Sequence, residues 1–282
     1  MIAEASPAVI AWWITLSAIS AVNIVLWIVV AWRWMRAGSA AVDPPGGRWQ
    51  LVLAALFVAI CAFRSFLPRA EGQRICLYES WLSSALWGRS VATVAELSLV
   101  AQWTLVLRDW AARTRAPLTA VLSWFLLPLI TVAELCSWYT TLTTNFIGSV
   151  MEESLWAITA TLTIIGLVAV WPRLNWRSRR FILPIGLAVA AYVVFMWSVD
   201  VPMYWSRFAA DQARGKTYLG IGEGFVDAQR RRIVTRRIED WRHEIPWMSL
   251  YFSVGVWISI GLMRAPSRDA LTSARLRAGA RR

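Results

Sequence analysis

Ala8-Val9-Ile10-Ala11-Trp12-Trp13-Ile14-Thr15-Leu16-Ser17-Ala18-Ile19-Ser20-Ala21-Val22-Asn23-Ile24-Val25-Leu26-Trp27-Ile28-Val29-Val30 runs for 23 residues without one ionisable side chain. At a rise of about 1.5 Å per residue, a helix of that length crosses the ~30 Å hydrocarbon core of a bilayer. Six further apolar stretches follow, at 51–67, 81–107, 118–138, 150–171, 181–199 and 246–263. Proline and glycine punctuate the gaps between them: Asp43-Pro44-Pro45-Gly46-Gly47, Pro68, Pro117, Pro172 and Pro246. The pattern predicts an all-α, polytopic integral membrane protein, a seven-helix transmembrane bundle in a single domain over 1–282. Hydrophobic residues make up 58% of the chain and charged ones 16%, against about 25% charged in a soluble domain.

Basic residues orient the spans, because cytoplasmic loops of membrane proteins collect them. With the N-terminus outside, the inner segments hold sixteen Arg, six of them in a basic tail at 264–282, whereas the two short outer loops hold only Arg69 and Arg74. The chain is therefore expected N-out and C-in, in a bacterial inner membrane, with a long outer loop at 200–245. Most of the net charge of +12 is then topological, and membrane lipids rather than nucleic acid are the expected partners. No cleavable signal peptide is expected, since Met1-Ile2-Ala3-Glu4 lacks a basic stretch. Lys216, the sole lysine, falls in the outer loop, so no span offers an amine for a retinal Schiff base. Cys61, Cys76 and Cys136 have neither the number nor the spacing of a disulfide framework or zinc motif.

Half of the 20 Trp fall near span ends, where the amphipathic indole suits the headgroup layer. Trp87, Trp103, Trp124, Trp156 and Trp197 fall deeper. Packing explains such residues by default, and Trp197 is the one carried forward as a candidate to stack on a ligand.

Charges inside spans are costly and mark candidate sites. The third span carries Arg89 and Glu96, seven residues and so two turns apart on one face. The fourth carries Glu134 in Thr131-Val132-Ala133-Glu134-Leu135, a repeat of Thr93-Val94-Ala95-Glu96-Leu97. Arg64, Glu152, Glu153 and Asp200 lie toward the outer ends of their spans. All seven fall on the outer half, which predicts an outward-opening polar pocket lined by spans two to six. Ser137, Thr140, Thr141, Thr143, Thr144 and Asn145 would form its rim. Glu96 and Glu134 are the candidate acid/base pair, with Arg64, Arg89, Glu152, Glu153 and Asp200 as substrate-binding groups. The competing reading is that these charges neutralise one another and only fix helix packing. No Glu-x-x-His pair or histidine cluster supports a metal, and the sequence names no cofactor.

Within the outer loop, Gly215-Lys216-Thr217-Tyr218-Leu219-Gly220-Ile221-Gly222-Glu223-Gly224 reads as a turn. Phe225 to His243 reads as a basic amphipathic helix, lying on the membrane surface or across the pocket mouth. His243, the single histidine, is a candidate peripheral acid/base. The leading expectation is an enzyme doing acid/base chemistry on an amphiphilic, lipid-like substrate. A proton- or cation-coupled transporter is the alternative, and a non-catalytic, pigment-binding subunit of a membrane complex is a third.

Overall fold

The structure is a computed structural model that describes residues 6–37 and 47–264. The opening Met1-Ile2-Ala3-Glu4, the break Asp43-Pro44-Pro45-Gly46 and the basic tail beyond Arg264 lie outside the described residues. The fold is nearly all-α, and seven helices are long and apolar enough to cross a membrane. They begin with α1 (Pro7–Ala37), α2 (Arg48–Phe66), α3 (Ala85–Thr114), α4 (Pro117–Thr143) and α5 (Ile147–Val170). The sixth joins α6 (Trp176–Phe195) to α7 (Val201–Ala213) through a π-helical turn, Met196–Asp200. After α8 (Ile221–Arg230) and α9 (Ile238–Trp241), the last span joins α10 (Ile245–Leu250) to α11 (Val256–Leu262) through a second π-helical turn, Tyr251–Gly255.

The central helix is α3, which packs on α2 and α4 and buries Trp103, Val106, Leu107 and Trp110. Small residues let α4 and α5 approach closely. A Cβ on Gly148 would sit 2.4 Å from the carbonyl oxygen of Cys136, and Thr119 Oγ1 donates to the Gly166 carbonyl at 2.9 Å. Polar side chains tie the last span to its neighbours, as is common where apolar area alone does not drive helix association. Asn23 of α1 donates to the Phe252 carbonyl inside the second π turn at 3.0 Å and accepts from Trp257 Nε1 at 2.9 Å. Gln50, Gln102 and Ser259 form a fully buried cluster joining α2, α3 and α11.

Two span boundaries depart from the sequence reading with a clear local cause. The third span starts at Ala85 instead of Trp81, because Trp81–Ser83 is a separate 3-10 turn and Ser84, its backbone extended at ψ 146°, caps α3. The sixth span runs on from 199 to Ala213. Pro202 has no N–H to donate, and the wider π turn just before it lets the helix continue past that position. The segment expected as an outer loop from 200 thus begins as helix.

The expected helix from Phe225 to His243 is broken into pieces. It starts earlier, at Ile221 after an extended Gly220, and ends at Arg230. Ile233–Val234 then forms a short strand, β3, parallel to β2 (Ile75–Cys76), which pairs antiparallel with β1 (Arg69–Ala70). β-Branched residues beside an open strand edge pair with it in preference to continuing the helix. The expected turn at Gly215–Gly224 holds at Gly215, whose φ is 63°. Further on, Gly222 and Gly224 are helical, and Gly224 is where α8 meets α4: a Cβ there would lie 1.7 Å from the Leu142 carbonyl oxygen.

Candidate functional site

At the end of the bundle that carries the β1–β2 hairpin, the helices separate around a cavity of about 390 Å³. Its roof is the hairpin turn Gly72-Gln73 together with Glu244 and Trp247 at the start of the last span. It reaches along α3 from Arg89 to Trp103, a depth of roughly 21 Å at helical rise. The roof end is charged, and the deep end is mainly apolar, walled by Leu99, Val100, Leu126, Val189 and Ile258, with Thr159 and Thr163 of α5 among them. Spans two to six line it as expected, and so does the last span through Tyr251, Val254 and Ile258.

Arg89 is the hub of the charged end and is 6% exposed. Its Nη2 donates to Glu96 Oε1 at 3.0 Å and to Glu134 Oε2 at 2.9 Å, while Nη1 donates to Glu152 Oε1 at 3.2 Å and to Ser137 Oγ. The planar fork of a guanidinium suits this multiple bonding. Thr93 Oγ1 donates to the same Glu134 oxygen at 2.5 Å and accepts from Trp138 Nε1 at 3.1 Å. Arg64 pairs with Glu71 at 3.1 Å and lies 4.0 Å from Glu96. Glu244 accepts from Gln73, Arg207 and Trp247 at 2.9, 3.1 and 2.7 Å.

Glu153 and Asp200 differ from these. Both line the cavity, and neither has a hydrogen-bond or ion-pair partner among the described residues. Asp200 is only 6% exposed and closes the first π turn. Glu153 lies within electrostatic reach of it from α5. Such turns interrupt helices frequently at functional sites.

The fold therefore brings Arg64, Arg89, Glu96, Glu152, Glu153 and Asp200 to one cavity. Glu134 is placed behind Arg89, on the α4 side, and does not line the wall. His243 is exposed beside Arg242, which donates to its Nε2 at 3.0 Å, and the ring is outside the lining. Partial burial, then Arg242 and Arg207, holds its pKa below the ordinary histidine value. Trp197 is 48% exposed on the far face of the π turn and also stays outside the lining. Glu71, Glu244, Tyr192 and Tyr204 join the wall without having been singled out from the sequence. Tyr204 sits in a stretch that reads as loop until the helix is seen to continue through Asp200. Glu71 lies in a short connection that only the hairpin folds inward.

Roof groups are held mainly by burial and backbone contacts. Arg69 donates to the Leu82 carbonyl, and burial lowers its pKa to about 10. Arg74, at φ 59°, donates from Nε to Asp227 Oδ2 of α8 at 2.8 Å. Ile233 N donates to the Arg74 carbonyl at 2.8 Å and Thr235 N to that of Cys76 at 3.1 Å. The segment after α7 is thereby strapped to the hairpin over the cavity roof. Among the described residues, no three of His, Cys, Asp and Glu converge in a metal-ligand arrangement. No family model, curated protein or solved structure matches this chain.

Proposed function

We propose that this is an integral membrane enzyme that takes an amphiphilic, lipid-like substrate into the cavity and does acid/base chemistry at its charged end. The observation that carries the reading is the polarity gradient of one continuous cavity. Charges gather under the roof, and below Glu96 about 10 Å of mainly apolar wall extends to Trp103. Such a shape matches a polar head and a hydrocarbon tail.

The geometry redistributes the roles. Glu96 and Glu134 are engaged by Arg89, so they are best read as holding that guanidinium in place. Glu153 and Asp200, which make no hydrogen bond or ion pair among the described residues, are the groups we assign to proton transfer, which needs a carboxylate open to the substrate. Their placement also suits the alternative of a proton- or cation-coupled transporter. The enzyme reading is preferred because no charged side chain lines the cavity below Glu96, where Leu126 and Trp103 are joined only by the hydroxyls of Thr159 and Thr163 as polar groups.

The orientation we propose is N-out, C-in, with the strapped roof outside. Ile221, Phe225 and Val226 of α8 are exposed together with Trp205 of α7, which supports α8 as an amphipathic element resting at the headgroup layer. The test is incubation of the purified protein, in nanodiscs, with a total lipid extract of the expression host, followed by mass spectrometry of the products. Turnover should fall about 10²- to 10⁴-fold with Glu153→Gln or Asp200→Asn at unchanged melting temperature. Conversion that survives both substitutions would remove these residues from the chemistry.

A further inference from the structure

The charge count of the cavity points to the kind of head group it takes. Six carboxylates line it, Glu71, Glu96, Glu152, Glu153, Asp200 and Glu244, against the two guanidiniums of Arg64 and Arg89. Both arginines are committed, Arg64 to Glu71 and Arg89 to Glu96, Glu134 and Glu152. Glu244 has its own cation in Arg207. The wall therefore keeps no free cation for an anionic head, while two of its acids, Glu153 and the 6% exposed Asp200, form no ion pair among the described residues and feel Arg89 and Arg207 only at longer range.

We propose that the cavity binds amphiphiles with a cationic amine head, the ammonium seated between Glu153 and Asp200 and the tail along the apolar arm. This rests on the reading of the cavity as an amphiphile site and adds the chemical class. A phosphate or sulfate head would place like charge beside two unpaired carboxylates in a poorly solvated site, which is strongly unfavourable. An ammonium neutralises them in a wall that also carries aromatic rings, one of which, Tyr204, already has a cation, Arg207, 5.2 Å from its centre. Tyr192 and Tyr204 line the same wall and lie within electrostatic reach of both acids, and rings of this kind attract organic cations through their negative faces.

On this proposal the tail enters at the seam between the sixth and last spans. The helix α6 leans on α5, while the last span packs on α1, α2 and α3. Between them the wall is Ala188, Ala191 and Phe195 on one side and Leu250, Val254 and Ile258 on the other. Ala191 and Leu250 are also exposed on the bundle surface. A chain lying in the bilayer would slide in between these two helices, with its head already at the level of Asp200.

The test is isothermal titration of the nanodisc-embedded protein with decyltrimethylammonium, decyl phosphate and decyl maltoside, each below its micelle concentration, with empty nanodiscs as blank and a sodium chloride arm. The ammonium should bind saturably and at least about tenfold more tightly than the phosphate, and Glu153→Gln and Asp200→Asn should each weaken it roughly tenfold, the scale of a lost buried charge contact. Melting curves establish that the variants are folded. If Asp200→Asn, placed in the π turn, does not fold, the isosteric Glu153→Gln carries the test. Equal binding of all three heads, or ammonium binding indifferent to both substitutions, overturns the head-group assignment and leaves the amphiphile site standing. Saturable sodium binding that depends on the same two acids and excludes the ammonium also overturns it. If none of the three amphiphiles binds saturably, the amphiphile reading itself fails.

Discussion

Arg89 on α3 donates to Glu134 on α4 at 2.9 Å, and the two residues are 6% and 3% exposed. The bond couples the central helix to its neighbour on the side away from the cavity. Because Glu96 and Glu152 share the same guanidinium, its removal takes the cation from Glu134 and Glu152 and leaves Glu96 only Arg64 at 4.0 Å. Arg89→Met is expected to cost about 3–5 kcal/mol. Glu134→Gln, which can still accept from Arg89 and Thr93, should cost clearly less. Thermal unfolding in mild detergent distinguishes them, and equal melting temperatures would remove Arg89 from its place as hub.

The fully buried Gln50, Gln102 and Ser259 satisfy one another across three helices, with Gln102 Nε2 to Gln50 Oε1 at 3.0 Å and Ser259 Oγ to Gln102 Oε1 at 2.6 Å. Gln102→Leu leaves polar atoms unpaired on both neighbours and should destabilise by about 1–3 kcal/mol. Adding Gln50→Leu to it should recover part of that loss. Strict additivity of the two substitutions in a double-mutant cycle would show that the glutamines do not interact.

Gly224 and Gly222 lie two residues apart on α8 and should respond in opposite ways. A methyl group on Gly224 collides with the backbone of Leu142, whereas one on Gly222 meets nothing within 4 Å. Gly224→Ala is expected to cost about 1–3 kcal/mol or to lift α8 off α4. Gly222→Ala should be neutral or stabilise by a few tenths of a kcal/mol, as alanine does in a helix. Hydrogen exchange of α8 amides reads the difference.

The strap over the roof hangs on Arg74 and Asp227, joined at 2.8 Å with Arg74 2% exposed in its side chain. Asp227→Asn removes the charge from a bond worth about 1.5–3 kcal/mol. Trypsin should then cut at Arg230, Arg231 and Arg232 severalfold faster while the spans remain intact. An unchanged cleavage rate would mean that the β2–β3 pairing alone holds the strap.

Cysteine labelling in intact cells checks the orientation. Gln229→Cys and Arg177→Cys replace exposed residues at opposite ends of the bundle. A membrane-impermeant maleimide should label the first directly and the second only after permeabilisation, and the reverse pattern would invert the proposed topology. Native Cys76 should contribute little background, since it is 1% exposed and burial pushes its thiol pKa up. Its thiolate is scarcer than a free cysteine's at neutral pH, so any residual labelling of it should rise as pH rises.

The sequence by itself determined the number of spans, their approximate limits and the presence of costly charges among them. It could do so because hydrocarbon leaves the backbone one economical choice, a helix of about 20 apolar residues, and makes each exception conspicuous. What only the tertiary structure decided was which charges are paired. Arg89 is a hub because α4 and α5 bring Glu134 and Glu152 to a residue that the sequence pairs only with Glu96. Glu153, adjacent to Glu152 in the chain, points to a different neighbour, since consecutive residues on a helix diverge by about 100°. The sixth span likewise outruns its hydropathy, because a π turn carries the helix past Pro202 and fixes Asp200 at the cavity wall. Pairing, and with it the two acids left without an ion pair, depends on distances between helices, to which no local pattern of residues refers.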